Sequence, residues 1–160
     1  MISATTALPA AVRDPALLLA RLVLGGIFIA HGWQKAGQNG IAATTEGFAG
    51  MGVPLAGIAA PLVACVELIG GALLILGVLT SIAGLALAIT MAVAAFLVHL
   101  GSGVFVTEGG WELVGALGAG ALLLAAVGPG RIALAGRAAS RSGSRARSAS
   151  TSAGSGASVA

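Results

Sequence analysis

Long apolar runs alternate with short polar breaks along this chain, and the runs have the length of membrane helices. The first extends from Ala16 to Trp33. At ~1.5 Å rise per residue it is just long enough to cross a ~30 Å hydrocarbon core. The second, Pro54 to Leu79, is apolar from end to end except for one carboxylate, Glu67, near its middle. The third is Ile82 to Leu100, and the fourth is Trp111 to Val127, stopped by Gly128-Pro129-Gly130. The pattern predicts an all-α integral membrane four-helix bundle.

The breaks set the connections. Arg13-Asp14-Pro15 marks the start of the first span, with Pro15 suited to a first helical turn and Asp14 placed as its cap. A basic flank before an apolar centre resembles a signal peptide, but no A-x-A-like site follows and Asp14 disturbs the flank, so the run is read as a span. Gln34 to Val53 is a polar, Gly-rich connection. Pro61 is expected to kink the second span, with neighbouring helices absorbing the freed carbonyl. Thr80-Ser81 is a very short link, which makes the second and third spans antiparallel neighbours. The chain therefore divides into a leader (1–15), a membrane domain (16–131) and a tail (132–160). The tail is rich in Ala, Ser, Gly and Arg, has no apolar face to bury, and is expected to be disordered.

Composition narrows the class. Of 160 residues, 58% are hydrophobic and 8% charged, against about 25% charged in a soluble domain. The net charge of +3 is scattered over short polar segments without interleaved aromatic residues, so nucleic acid is not an expected partner. The single cysteine, Cys65, excludes an intramolecular disulfide, a CxxC pair and a cysteine zinc site; inside an apolar run it reads as a small hydrophobe. With an even number of spans, Arg13, Arg131, Arg137, Arg141, Arg145 and Arg147 all flank one side, which the positive-inside rule makes cytoplasmic. Trp33 and Trp111 then mark the outer interface, and the expected location is a bacterial plasma membrane.

This orientation sorts the ionisable groups by depth. His31 and Lys35, His99 and Glu112 fall at the outer ends of the first, third and fourth spans; Glu67 is near the midplane, and Arg21 is in the cytoplasmic half of the first span. A carboxylate at the centre of a bilayer costs about 2.5–3.5 kcal/mol on insertion scales, so Glu67 must face protein or water. Helical spacing places Arg21, Phe28, His31 and Lys35 on one side of the first span. Small-residue stripes carry Ala60, Ala64, Glu67 and Gly71 on the second span, Ala88, Ala92, Ala95 and His99 on the third, and Gly115 and Ala119 after Glu112 on the fourth. Such stripes let helices approach closely in lipid. Arg21 is the expected partner of Glu67 and the charge expected to govern its ionisation, at a depth difference of roughly 9 Å that long side chains can cover; the pair serves either function or helix register. Lys35 reads as an interface anchor that snorkels. The candidate polar site is His31, Glu67, His99 and Glu112, with Arg21 and Lys35 as supporting charges and no catalytic residue assigned.

The spaced residues Arg21-x3-Gly25-Gly26-x-Phe28-x2-His31-Gly32-x2-Lys35, Gly52-x-Pro54, Glu67-x2-Gly70-Gly71-x2-Leu74-x2-Gly77, His99, Glu112 and Gly128-Pro129-Gly130-Arg131 together resemble the DoxX family. The resemblance covers Ala16 to Arg131 and implies a small four-helix membrane protein. It also implies a link to thiosulfate:quinone oxidoreductase, or to membrane redox complexes with a sulfurtransferase and a superoxide dismutase.

Two classes of function follow. In the first, the chain is a subunit of a membrane redox complex, linked to quinones or thiols. There His31 or His99 donates to a quinone carbonyl and Glu67 or Glu112 handles the proton. The chain has no flavin motif or iron–sulfur cysteines, so electrons must come from a partner or a bound cofactor. Haem between His31 and His99 is a minor variant, and zinc on His31, His99 and Glu112 a weaker one, because no close-spaced ligand pair supports it. In the second class the chain is a non-enzymatic transport, assembly or anchoring subunit, and in either class it can pair with itself.

Overall fold

The computed structural model describes residues 8–134, and every regular element among them is helical. The helices are α1 (Ala10–Trp33), α2 (Ile41–Gly50), α3 (Ala56–Leu76), α4 (Thr80–Ala94) and α5 (Glu112–Val127). One π turn, Gln34–Gln38, follows α1 and another, Ala95–His99, follows α4. Three continuous helical stretches are long and apolar enough to cross a membrane: Ala10–Gln38, Ala56–Leu76 and Thr80–Ser102. The fourth expected span, α5, has only 16 residues, which at ~1.5 Å each falls short of a ~30 Å core.

Several boundaries differ from the sequence reading. The helix of the first span begins at Ala10, not after Asp14, because Ala10, Ala11 and Val12 extend it backwards and Pro15 lies inside it. Asp14 is not a cap: it is buried, and its Oδ1 accepts the Arg131 N–H at 3.4 Å. The connection after Trp33 is not a loop. It folds into the π turn and α2, where Thr44 turns inward and its hydroxyl donates to the Lys35 carbonyl at 2.9 Å. The link between α3 and α4 is Gly77–Leu79, and Thr80-Ser81 belong to α4. The leader residues before Leu8 and the tail after Leu134 lie outside the described residues. Ile132 and Ala133, expected at the start of the tail, pack onto the helices, with Ala133 buried.

Small residues set the helix spacing. α1 packs along α3, and α4 along α5. A Cβ on Gly25 would lie 2.6 Å from the Gly71 carbonyl oxygen, and one on Gly71 would lie 2.7 Å from the Gly25 oxygen, so the two backbones touch. Gly84 makes the same approach to the Ala121 carbonyl oxygen across α4 and α5. The core is Phe28, Leu74, Ala83, Leu87, Met91, Leu117, Ala121 and Leu124. The buried stripes of α4 and α5 are thus Ala83–Leu87–Met91 and Leu117–Ala121–Leu124. Ala92 and Ala119, expected to face inward, are exposed. With almost every position apolar, hydrophobicity no longer marks the inner face, and the larger side chains fill the space between the two helix pairs.

Arg21 closes the end of the molecule where α1 starts and α5 finishes. It is 1% exposed. Its Nε donates to the Leu74 carbonyl at 2.8 Å and its Nη2 to Ile75 at 2.9 Å, both in the last turn of α3, while Nη1 donates to Pro129 at 2.7 Å and Ile132 at 2.8 Å. The cation thus meets the negative end of the α3 dipole and carbonyls left over beyond a helix end. Gly77 makes room for it: a Cβ there would sit 2.7 Å from Nη2, and φ is +68°.

Replacing Arg21 with Met should destabilise the protein by about 3–5 kcal/mol by leaving several buried carbonyls without a donor. Gly71→Ala should cost about 1–3 kcal/mol by forcing α1 off α3. Unfolding curves of the purified protein in mild detergent check both; a Gly71→Ala protein as stable as wild type would mean that the backbones do not touch.

Candidate functional site

Glu67 lies on the small-residue stripe of α3 and is 2% exposed; Ala60, Ala64 and Gly71 of that stripe are buried with it. Its partner is Lys35, whose Nζ is 2.7 Å from Oε2 and 3.0 Å from Oε1. This corrects the expected Arg21–Glu67 pair and the snorkelling reading of Lys35. The reason is the direction of side chains on helices. Each Cα–Cβ bond tilts towards the N-terminus of its own helix. α1 and α3 run antiparallel, with Gly25 against Gly71 and Gly32 against Ala64 and Leu68. Lys35 therefore leans along α1 into the bundle and Glu67 leans along α3 towards it, whereas Arg21 leans away from Glu67. The Thr44 hydroxyl on the Lys35 carbonyl fixes the π turn that carries the lysine, and Nζ also lies 3.4 Å from the His31 carbonyl.

This ion pair forms part of the wall of a cavity of about 560 Å³. The walls are largely apolar, including Phe28, Met91, Leu113 and Leu117, and His31, Thr90 and His99 add polar groups. His31 also lines a groove of about 260 Å³ with Ala30, Gln34 and Gln38, so it stands between that groove and the main cavity. His99 reaches the cavity through the second π turn. In an uninterrupted α-helix it would be rotated roughly 80° from Met91; the extra residue in the wider turn brings it to within roughly 20°. Its Nδ1 is 2.7 Å from the Gly109 carbonyl oxygen. A carbonyl only accepts, so Nδ1 carries the proton, and in the neutral ring Nε2 is an acceptor.

Glu112 does not join this group. Its Oε1 accepts the Val106 N–H at 2.7 Å, and its own N–H donates to the Val104 carbonyl at 2.9 Å, so it holds the loop before α5 against that helix. Of the expected site residues, the cavity gathers His31, Glu67 and His99 and adds Lys35; Glu112 secures the loop, and Arg21 braces the opposite end. Among the described residues no three His, Cys, Asp or Glu side chains are arranged to hold a metal ion. Sequence reading missed the neutral hydroxyl contacts and the role of Phe48 and Met51, at the end of α2 and just beyond it, in lining the cavity. The i, i+4 spacing of Thr44 and Phe48 was the available signal.

Apolar helices of membrane-crossing length, closed around an interior ion pair, define an integral membrane protein. The DoxX family model matches residues 16–100 of the chain, which therefore belongs to the DoxX family. The match includes Arg21, His31, Lys35, Glu67 and His99 and stops before Glu112. No curated protein and no solved structure matches the chain significantly.

Removing one partner of the ion pair leaves the other charged and buried. Lys35→Met or Glu67→Leu alone should each destabilise the protein by about 3–5 kcal/mol, and the double variant should regain most of that loss. Denaturation of the three variants in one detergent measures the coupling; strictly additive losses would mean that the two side chains do not interact.

Proposed function

We propose that this DoxX-family protein is the quinone-binding membrane subunit of a redox complex. The observation that carries the reading is the buried Lys35–Glu67 pair on the wall of an apolar cavity that also presents His31 and His99. A cavity of about 560 Å³ lies within the ~300–1,000 Å³ range of small-molecule sites. A quinone has a flat apolar ring and two carbonyl acceptors, and the cavity matches both features: apolar walls, and cationic or imidazole donors at Lys35 and His31, while His99, whose Nδ1 proton is held by Gly109, presents Nε2 as an acceptor for a hydroxyl of the reduced ring. When bound, a quinone supplies two-electron, two-proton redox chemistry. The residues of the chain bind and orient it, exclude water, and hold protons beside it. Glu67 is the carboxylate that holds and releases a proton, and Lys35 balances its charge. The imidazole of His31, which borders both the cavity and the Gln34–Gln38 groove, connects the site to the polar surface of α1. The single cysteine of the chain makes no dithiol, so the electrons come from a partner protein docked at the membrane surface or from a bound cofactor. By family resemblance, a sulfurtransferase-like protein or a superoxide dismutase is a further member of such a complex.

The same reading places both termini on the cytoplasmic side of a bacterial plasma membrane, on the strength of the arginines that flank them. The cavity end of the bundle then faces outward.

Titration of the detergent-solubilised protein with a decyl-tailed benzoquinone, followed by tryptophan fluorescence, tests the reading. Saturable quenching is expected in the wild type. Glu67→Gln and His99→Ala should weaken it about tenfold, equivalent to ~1.4 kcal/mol. Absence of saturable binding in the wild type, or equal binding in all three proteins, would overturn it.

A further inference from the structure

The cavity is not a closed chamber, and the way it opens says how its ligand arrives. Gly70 of α3 packs directly against Leu87 of α4, close to the link between the two helices. Continued along the antiparallel pair, that register sets Val66 opposite Met91 and Val63 opposite Ala94. All four line the cavity. Beyond the Gly70–Leu87 contact the cavity is thus lined by both α3 and α4. At the gap, Leu62 of α3 and Ile89 and Val93 of α4 line the cavity and are 58%, 56% and 49% exposed. The outer faces on either side carry further exposed apolar residues, among them Ile58 and Ile69 on α3 and Ile82 and Leu85 on α4. In a membrane, hydrocarbon surrounds this gap. The ionic groups lie at the inner side of the cavity, with α1 supplying His31 and the π turn after it Lys35.

We propose that the gap between α3 and α4 is a lateral portal through which a tailed quinone enters from the bilayer. The ring passes inward towards Lys35, Glu67 and His99, and the hydrocarbon tail stays in the gap between Leu62 and Val93. The inference rests on the quinone-binding reading and adds to it the class of ligand and its route: a lipid-soluble quinone with an apolar tail. Two facts make the tail the occupant. The gap is continuous with a cavity whose polar groups lie on the far side, and every residue named at its rim is apolar. A water-soluble ring gains nothing from such a rim, whereas a tail replaces lipid contacts there with protein contacts.

The test uses the full chain in lipid nanodiscs, with a decyl-tailed benzoquinone and its tail-less, water-soluble counterpart as probes. The wild type should bind the tailed probe at least tenfold more tightly than the tail-less one, both concentrations being referred to the lipid or water phase each occupies. Val93→Trp, which narrows the gap at a lipid-facing rim position that tolerates a large apolar side chain, should remove most of that preference and change tail-less binding less than threefold. Equal loss of both probes, or an unchanged preference, overturns the portal while leaving quinone binding in place. If the wild type binds neither probe, the quinone reading itself has failed. The portal is then decided separately by Ala94→Trp in a Trp33→Phe, Trp111→Phe background, in bilayers with brominated acyl chains. Strong quenching of the introduced indole means that lipid reaches the cavity wall through the gap, and its absence overturns the portal.

Discussion

The ion pair between Lys35 and Glu67 is the constraint on which the rest of the structure depends. A carboxylate in the apolar middle of α3 is tolerable only if a cation meets it away from lipid. That requirement fixes how α1 lies on α3. The backbones touch at Gly25 and Gly71, and the antiparallel run sets the register in which the lysine leans down as the glutamate leans up. Thr44 then matters although it carries no charge, because its hydroxyl holds the π turn from which the lysine reaches inward. A helix that first reads as a connection becomes part of the support for the central charge.

The two ends of the molecule are built differently, and the cavity is the consequence. At one end Arg21 joins three segments by donating to carbonyls of α3 and of the stretch after α5. The apolar core fills the space next to it. At the other end α3 and α4 line a cavity together with the ion pair and two imidazoles. A guanidinium suits the closed end because its planar fork satisfies several carbonyls at once, while an ammonium suits the open end because it can pair with one carboxylate and still border a cavity. Arg21 of α1 and Lys35 of the π turn that follows it thus have separate tasks: the first braces the fold and the second equips the site.

Much of this was legible in the sequence. The apolar runs predicted four spans, of which three have crossing length and the fourth is the 16-residue α5, and the spacing of Arg21, Phe28, His31 and Lys35 marked the inner face of the first span. The stripe through Glu67 gave the inner face of α3. The pairing of charges was not read correctly because depth alone was compared. The contacts of Gly25 with Gly71 and of Gly32 with Ala64 and Leu68 set Glu67 opposite the turn before Lys35 and well away from Arg21, and the tilt of side chains towards each N-terminus widens the difference. The inner faces of α4 and α5 were harder for a different reason. Alanine and glycine recur on several sides of both helices, so small residues could not single out a face, and the π turn before His99 shifts the phase in a way that periodicity does not reveal. Glu112 shows the limit of counting titratable groups near one end: it lies close to the site in depth but answers to a loop N–H.

The most direct test of this account is an experimental map of the full chain in a lipid nanodisc, good enough to place side chains. It should show the Lys35 ammonium within about 3 Å of both Glu67 oxygens, matching the 3.0 and 2.7 Å found here, inside the protein and at the depth of the lipid tails. A Lys35 side chain extended to the headgroups, with Glu67 turned to Arg21 or to lipid, would contradict it.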